Sequence, residues 1–390
     1  MMKKVINTMF LLLICTSMMA AMHGYNLNFT FSQHNFCDTI PIEFDNDQIY
    51  IPVMMNGEEH LFNLDTGSSQ GTVYEGAHIG SWTELGNVVS RDANNRLDTV
   101  KVISLPPFKM GNLTVGDYVA SVFPRPTVKG KYDVIIGFDL FNKGLCAKID
   151  VEHKIMILTD IRDFFSGEQG FAVKYKLKWF VPYVLISPFI RHVDETLFDL
   201  GSRPLYVMNK ESFDEHAYKS NNVGSQVEGI AKGNMNIGNL GTEKQDEVAF
   251  LHLDRLKWGD FSFNDVHATT TSGSSRIGAQ MLKYGSVIID AFRKQIVFQP
   301  YSGADSVEVD NKQFGVAFVP KDGMAAVGLV FQKSEAYING MRQGDIILKI
   351  NGQQIFTFND FVNYPFVKGR RYTFTLHDKK GFDKEVSVER

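Results

Sequence analysis

Cysteine is nearly missing from this chain, at three in 390 residues, and one of the three, Cys15, falls in an apolar stretch near the start. Cys37 and Cys146 remain, without the near neighbours of a zinc cluster or a thiol catalyst. Spacing alone leaves two readings open for them, a single disulfide or two buried thiols. Positive charge is not in excess either: 40 Lys and Arg stand against 44 Asp and Glu, a formal net charge of −4. With no basic cluster to follow a phosphate backbone, nucleic acid is not an expected partner. Beyond the first twenty-odd residues no apolar run is long enough to span a bilayer. The histidines His78, His153, His192, His216, His252 and His267 show no i, i+4 pairing, so neither a metal nor a cofactor is predicted. Ser272-Gly273-Ser274-Ser275 lacks the strand-turn-helix frame of a nucleophile elbow and reads as a loop.

What is present is globular: 12% aromatic and 22% charged residues, in a chain too long for one compact core. Met1-Met2-Lys3-Lys4, an apolar run from Val5 to Ile14 and small residues through Ala20-Ala21 carry the three parts of a secretory signal. Cleavage near Ala21 is expected, in preference to lipid attachment at Cys15, because Ile14 before it is bulky. Export to the periplasm, the cell surface or the medium follows. Losing Lys3 and Lys4 takes the formal charge from −4 to about −6.

The stretch with the sharpest chemistry is Phe62-Asn63-Leu64-Asp65-Thr66-Gly67-Ser68-Ser69, an apolar strand delivering one carboxylate at a fixed point. Thr66 is placed to bond laterally, Gly67 permits close approach, and Ser68 is a candidate donor to the Asp65 carboxylate. Alone, Asp-Thr-Gly reads equally well as a Ser/Thr turn. A second copy changes the balance: Glu195-Thr196-Leu197-Phe198-Asp199-Leu200-Gly201-Ser202 presents Asp199 the same way, 134 positions later. Each copy is followed by a short run ending Ile-Gly, Ile135-Ile136-Gly137 and Arg276-Ile277-Gly278, 141 positions apart. Ordered motifs recurring at nearly one offset predict a duplicated β domain of about 140 residues. Gly86–Asp92 and Asp98–Ile103 predict a hairpin with a polar tip at Ala93–Arg96, either an ordinary surface ribbon or a cover over Asp65.

These motifs resemble those of the pepsin-like and retropepsin-like aspartic peptidases in bilobal, single-chain form, over most of residues 40–300. The resemblance implies a mainly β fold with two duplicated lobes, residues 22–160 and 161–302, after a signal peptide at 1–21. It implies an endopeptidase in which Asp65 and Asp199 meet at the lobe interface and activate one water to hydrolyse polypeptide substrates. Thr66, Gly67, Ser68, Gly201 and Ser202 are the supporting residues. Two carboxylates about 3 Å apart do not both ionise, so the pair supplies an acid and a base together. Two departures stand out. The hairpin matches the family's flap in position but has no aromatic flap residue, and Leu200 sits where the family has Thr or Ser, leaving Thr66 without a hydroxyl opposite it. The second departure keeps an alternative open, an inactive peptidase fold that binds or scaffolds peptides.

After Pro300 the composition shifts through Ser302–Ser306, which reads as a short polar linker. Gly344-Asp345-Ile346-Ile347, ending in Asn351-Gly352, is similar to PDZ domains of the bacterial, permuted kind. Residues 303–390 are therefore expected to form a PDZ-like β/α domain that captures peptide C-termini by strand addition, with Phe314, Gly315 and Val316 as the carboxylate loop. A small β domain that only buttresses the lobes is the other reading.

Overall fold

The computed structural model describes residues 27–92, 96–125, 130–217, 221–233, 237–238, 241–242, 246–309, 311–312 and 314–390. The expected signal peptide and residues 93–95 of the hairpin tip lie outside them. The protein is mainly β, with few and short helices among the described residues.

In the first half, the Glu58–Leu64 strand pairs antiparallel with Gln48–Met55 and parallel with Val134–Ile136, setting Ile51 and Val134 opposite Phe62. Val134–Ile136 is threaded between Glu58–Leu64 and Gly71–Tyr74, antiparallel to the latter. All three of its residues are buried, the continuous apolar run expected of a strand covered on both faces. Gly71–Tyr74 runs parallel to Val119–Phe123, which pairs with the Leu97–Ser104 arm of a hairpin completed by Thr83–Arg91.

The second half repeats this, pairing for pairing. Asp194–Asp199 is antiparallel to Val181–Ile186 and parallel to Arg276–Gly278, with Phe198 opposite Ile277. Arg276–Gly278 is antiparallel to Tyr206–Asn209, which runs parallel to Phe261–Thr271, itself paired with the long Asp246–Trp258 strand. The duplication read from motif spacing is thus a duplication of topology.

The halves are stitched together by a shared sheet. Cys146–Asp150 pairs with Gly285–Asp290, putting Lys148 opposite Ile288, and each is extended outward, through Ile155–Thr159 to Cys37–Pro41 and through Gln295–Pro300 to Phe171–Lys178. One continuous apolar core runs through both halves, including Leu64, Ile136, Ile149, Phe198, Leu200, Ile277 and Ile289. Cys37 and Cys146 are both free thiols, the first exposed and the second buried. Each lies opposite Thr159, on either side of its strand. Two strand spacings put them about 10 Å apart, beyond the reach of a disulfide.

The last part of the chain has its own core, built from Phe314, Val327, Met341, Ile350, Phe358, Phe374 and Val386 among others. Its strands follow the order Val316–Lys321, Met324–Val330, Ile346–Ile350, Arg371–His377, Asp383–Glu389. Gly344 adopts φ +89°, and the buried Asp345 accepts from the Arg342 amide at 2.7 Å and pairs with Lys384 at 2.7 Å. Asp345 is therefore a turn-fixing residue. The polar run at Ser302–Ser306 is not a free linker: Ser306–Glu308 adds in parallel to Phe261–Thr271, and Val309 enters the core of the lobes. The Asn311 side chain then bonds both the amide and the carbonyl of His267, at 2.8 and 2.9 Å. Two valines and an asparagine outweigh the polar composition that precedes them.

Candidate active site

Both acids emerge where a buried strand runs out of ladder partners. The Asp65 amide donates to the Ile136 carbonyl at 3.0 Å, the last bond of the Glu58–Leu64 pairing, and the chain turns immediately afterwards. In that turn the Gly67 and Ser68 amides donate to Asp65 Oδ1 at 2.8 and 3.2 Å. Asp199 is held identically, its Oδ1 accepting from the Gly201 and Ser202 amides at 3.1 and 3.0 Å.

The two turns face each other closely. A Cβ built on Gly67 would lie 2.6 Å from Asp199 Cγ, and one built on Gly201 would lie 2.3 Å from Asp65 Cγ. Each glycine is thus a contact surface for the opposite carboxylate, and any side chain there would push the acids apart. The Asp199 carboxylate stands against that of Asp65, close enough to act on it through its charge and a side-chain hydrogen bond. Burial, then the Asp199 charge, then that hydrogen bond hold Asp65 well above the usual carboxylate range, against the opposing pull of the two amides.

Thr66 ties the turns together through main chain. Its hydroxyl donates to the Phe198 carbonyl at 2.7 Å and accepts from the Leu200 amide at 2.9 Å, fully buried. The sequence predicts a Thr66 lacking its partner. A hydroxyl is both donor and acceptor, however, and the facing backbone supplies both ends of the bond. Leu200 is fully buried in the shared core, so the second half contributes packing where the first contributes a hydrogen bond. Ser68 also departs from expectation: its hydroxyl donates to the Gln70 carbonyl at 2.7 Å, and only its amide serves Asp65.

Packing at Gly137 and Gly278 explains why each of the two runs ends in Ile-Gly. The amides that follow them, of Phe138 and Ala279, donate to the Ser68 and Ser202 carbonyls at 2.8 and 2.7 Å. A Cβ on Gly137 would meet the Ser68 carbonyl oxygen at 2.8 Å, and one on Gly278 the Ser202 oxygen at 2.3 Å. The threaded strand thus packs its backbone against each acid-bearing turn.

Sequence reasoning misses a polar and aromatic cluster beside Asp65. Tyr132 lies between Tyr50 and Tyr74, its ring tilted to both with centroids 5.8 and 6.0 Å away. Tyr50 donates to Gln48 Oε1 at 3.1 Å, and the Arg203 guanidinium from the other half reaches the same oxygen at 3.1 Å. Tyr74 and Tyr132 are pushed up chiefly by burial, and Asp65 is among the charges acting on both. The only local hint is position: Tyr74 ends the strand after the first turn, and Arg203 directly follows Ser202. The hairpin, whose Val88 and Val100 pack beside Tyr74 and Tyr132, exposes the apolar side chains of Leu85, Val89 and Leu97.

No protein-family model and no curated protein matches this chain. Among solved structures it is similar to an aspartic proteinase from Irpex lacteus. The two are 12% identical over 68% of this chain and 97% of that one, at a TM-score of 0.44.

The predicted peptide loop of the last part sits differently from a surface site. Phe314 is buried, its ring packed against Phe366 and Phe374 with centroids 5.4 and 5.7 Å away. Gly315 turns at φ +69° and its carbonyl accepts from the Phe331 amide at 2.9 Å; Val316 begins the first strand, opposite Val330. Among the described residues no strand occupies the outer edge of Val316–Lys321.

Proposed function

We propose that the chain is an aspartic endopeptidase in which Asp65 and Asp199 activate a water and hydrolyse peptide bonds of polypeptide substrates. The observation that carries the reading is the facing pair of carboxylates, each pinned by two amides and pressed against the other's glycine. In such a pair the ionised member takes a proton from the water as it attacks the peptide carbonyl, and the protonated member supports the developing oxyanion. Proton transfer to the leaving amine then returns the pair to its singly protonated state. Arg203 and the three tyrosines would border the bound chain on the Asp65 side.

In this reading residues 22–160 and 161–302 are the two lobes and residues 303–390 a PDZ-like module. That module would take a peptide as an added strand on the open edge of Val316–Lys321, with terminal carboxylate capture by backbone amides at Phe314, Gly315 and Val316, because the Phe314 ring is committed to the core. The signal-like start makes the mature protein an exported one. No helix among the described residues is long and apolar enough to cross a membrane.

Leu200 favours a second reading, an inactive relative that binds or scaffolds peptides. Turnover of an unfolded protein across acidic to neutral pH, with and without a statine-type inhibitor, decides between them. Inhibitor-sensitive cleavage lost in both Asp65→Asn and Asp199→Asn supports the enzyme. Peptide binding without cleavage under every condition supports the scaffold.

A further inference from the structure

Away from the acids, three side chains from three adjacent strands converge. His252 on Asp246–Trp258 and His267 on Phe261–Thr271 are direct cross-strand partners, and their rings stack with centroids 4.4 Å apart and planes 12° apart. Glu228 lies on Val227–Gly233, where the register against Asp246–Trp258 slips between Val227 and Gly229. Such a bulge re-aims one side chain. Glu228 Oε2 comes to 3.3 Å from His267 Nδ1, and one ligand atom from each of the three residues lies within 4.8 Å of the others.

We infer that Glu228, His252 and His267 form a binding site for a divalent transition metal of the zinc class. Two nitrogen or carboxylate ligands at about 2.1 Å from a tetrahedral ion are about 3.4 Å apart, the separation Glu228 and His267 already have. His252 has to close the remaining gap, which costs little for an imidazole whose side chain is 44% exposed. His252 Nε2 is held by the Asp265 carboxylate. That is the arrangement in which an outer carboxylate fixes the tautomer and leaves the other ring nitrogen as donor. Three protein ligands leave a fourth position for water. Lys312 and Lys368 also act on these acids, so an ion is held by ligation and not by a general negative field. Binding should accordingly change little with salt.

The site also has a place in the architecture. Val227–Gly233 packs against Met324–Val330 of the last part, where Phe250 and Phe331 stack at 5.1 Å, and Asn311 clamps the His267 backbone. A bound ion would fasten the edge strand that carries the last part of the chain.

The test uses the full chain, stripped with a chelator and titrated with zinc by calorimetry at neutral pH, alongside the visible spectrum of the cobalt-loaded protein. One zinc per chain is expected, with a low-symmetry cobalt spectrum. Glu228→Gln, His252→Gln and His267→Gln should each weaken binding at least tenfold, and Asp265→Asn by about tenfold. His60→Gln, at an unrelated strand, should change nothing. Thermal melts without metal verify that each variant folds; should a histidine variant fail, Glu228→Gln and Asp265→Asn alone decide. No zinc bound at 1:1, or zinc bound equally well by these variants, overturns the proposal and leaves only two histidine–carboxylate ion pairs.

Discussion

Thr66 and Leu200 meet across the lobe interface as hydroxyl and amide, 2.9 Å apart, while the Leu200 side chain faces the apolar core. The contact that holds the acid-bearing turns together is therefore one-sided. Thr66→Val should strand two buried backbone groups, the Phe198 carbonyl and the Leu200 amide, at about 1–3 kcal/mol each. We expect a stability loss of that order in denaturant unfolding and a fall in kcat larger than any rise in KM. Leu200→Thr exchanges buried hydrocarbon for a hydroxyl placed, by the symmetry of the turns, to reach main chain of the first half. It should keep or raise turnover while costing about 1–2 kcal/mol of stability. A Thr66→Val protein with unchanged stability would show that the bond is dispensable.

The acids should behave as a unit. In the proposed mechanism Asp65→Asn and Asp199→Asn each remove the other's partner in proton exchange, so each should lower kcat by several orders of magnitude, and the double variant should be no worse. Gly67→Ala and Gly201→Ala probe the same unit without touching an acid. A methyl at 2.6 or 2.3 Å from a carboxylate carbon forces the pair apart. Both should lose activity at nearly unchanged fold, as read by circular dichroism. Activity retained in Asp199→Asn would place the second acid elsewhere.

Stability should be greatest on the acid side of neutrality. Asp139, fully buried at the start of the short helix after Gly137, is pushed up to about 7 by desolvation, in spite of a 2.7 Å bond from the Tyr118 hydroxyl. Its folded pKa lies above the unfolded one, so the native state holds the proton longer. The associated stability is complete below about pH 4 and is lost as pH rises through about 7, on the order of 4 kcal/mol for a shift of that size. Asp65, also raised, adds in the same direction. Asp139→Asn should flatten the decline between pH 4 and 7 in urea midpoints. An unchanged slope would remove Asp139 as its cause.

The parts legible in the sequence are those whose partners are local. Asp65-Thr66-Gly67 and Ile135-Ile136-Gly137 carry their geometry within a few residues, because the turn amides, the glycine and the buried strand are contiguous. Their pairing into a duplicated topology follows from spacing. What stays hidden depends on residues far apart meeting side by side. Arg203 reaches Gln48 across 155 positions, and nothing near either announces the other. His252 and His267 face each other only through the register of a long ribbon. Thr66 misleads for a related reason: its partners are backbone atoms, which every residue has, so the side chain at position 200 carries no sign of the bond. Composition misleads at Ser302–Ser306, where two valines further on draw the strand onto the second lobe.

The point at which the last part of the chain is removed should matter. Cutting before residue 303 takes away Ser306–Glu308, which extends the Phe261–Thr271 ladder, together with the buried Val309 and the Asn311 clamp on His267. Losing that strand and one buried valine should cost about 2–4 kcal/mol and lower turnover of even short peptides through loosening of the second lobe. Cutting after Lys312 keeps all three. It uncovers Val248 and Phe250, which pack against Ala317 and Leu329, so this protein should aggregate more readily while hydrolysing short peptides nearly as well as the full chain. Long substrates with free C-termini should suffer more than short ones if the open edge of Val316–Lys321 captures them. The comparison is kcat/KM on a short peptide and on an unfolded protein for the full chain and both truncations. Equal loss on both substrates by the longer truncated protein would make the last part a buttress of the lobes instead of a peptide-capturing module.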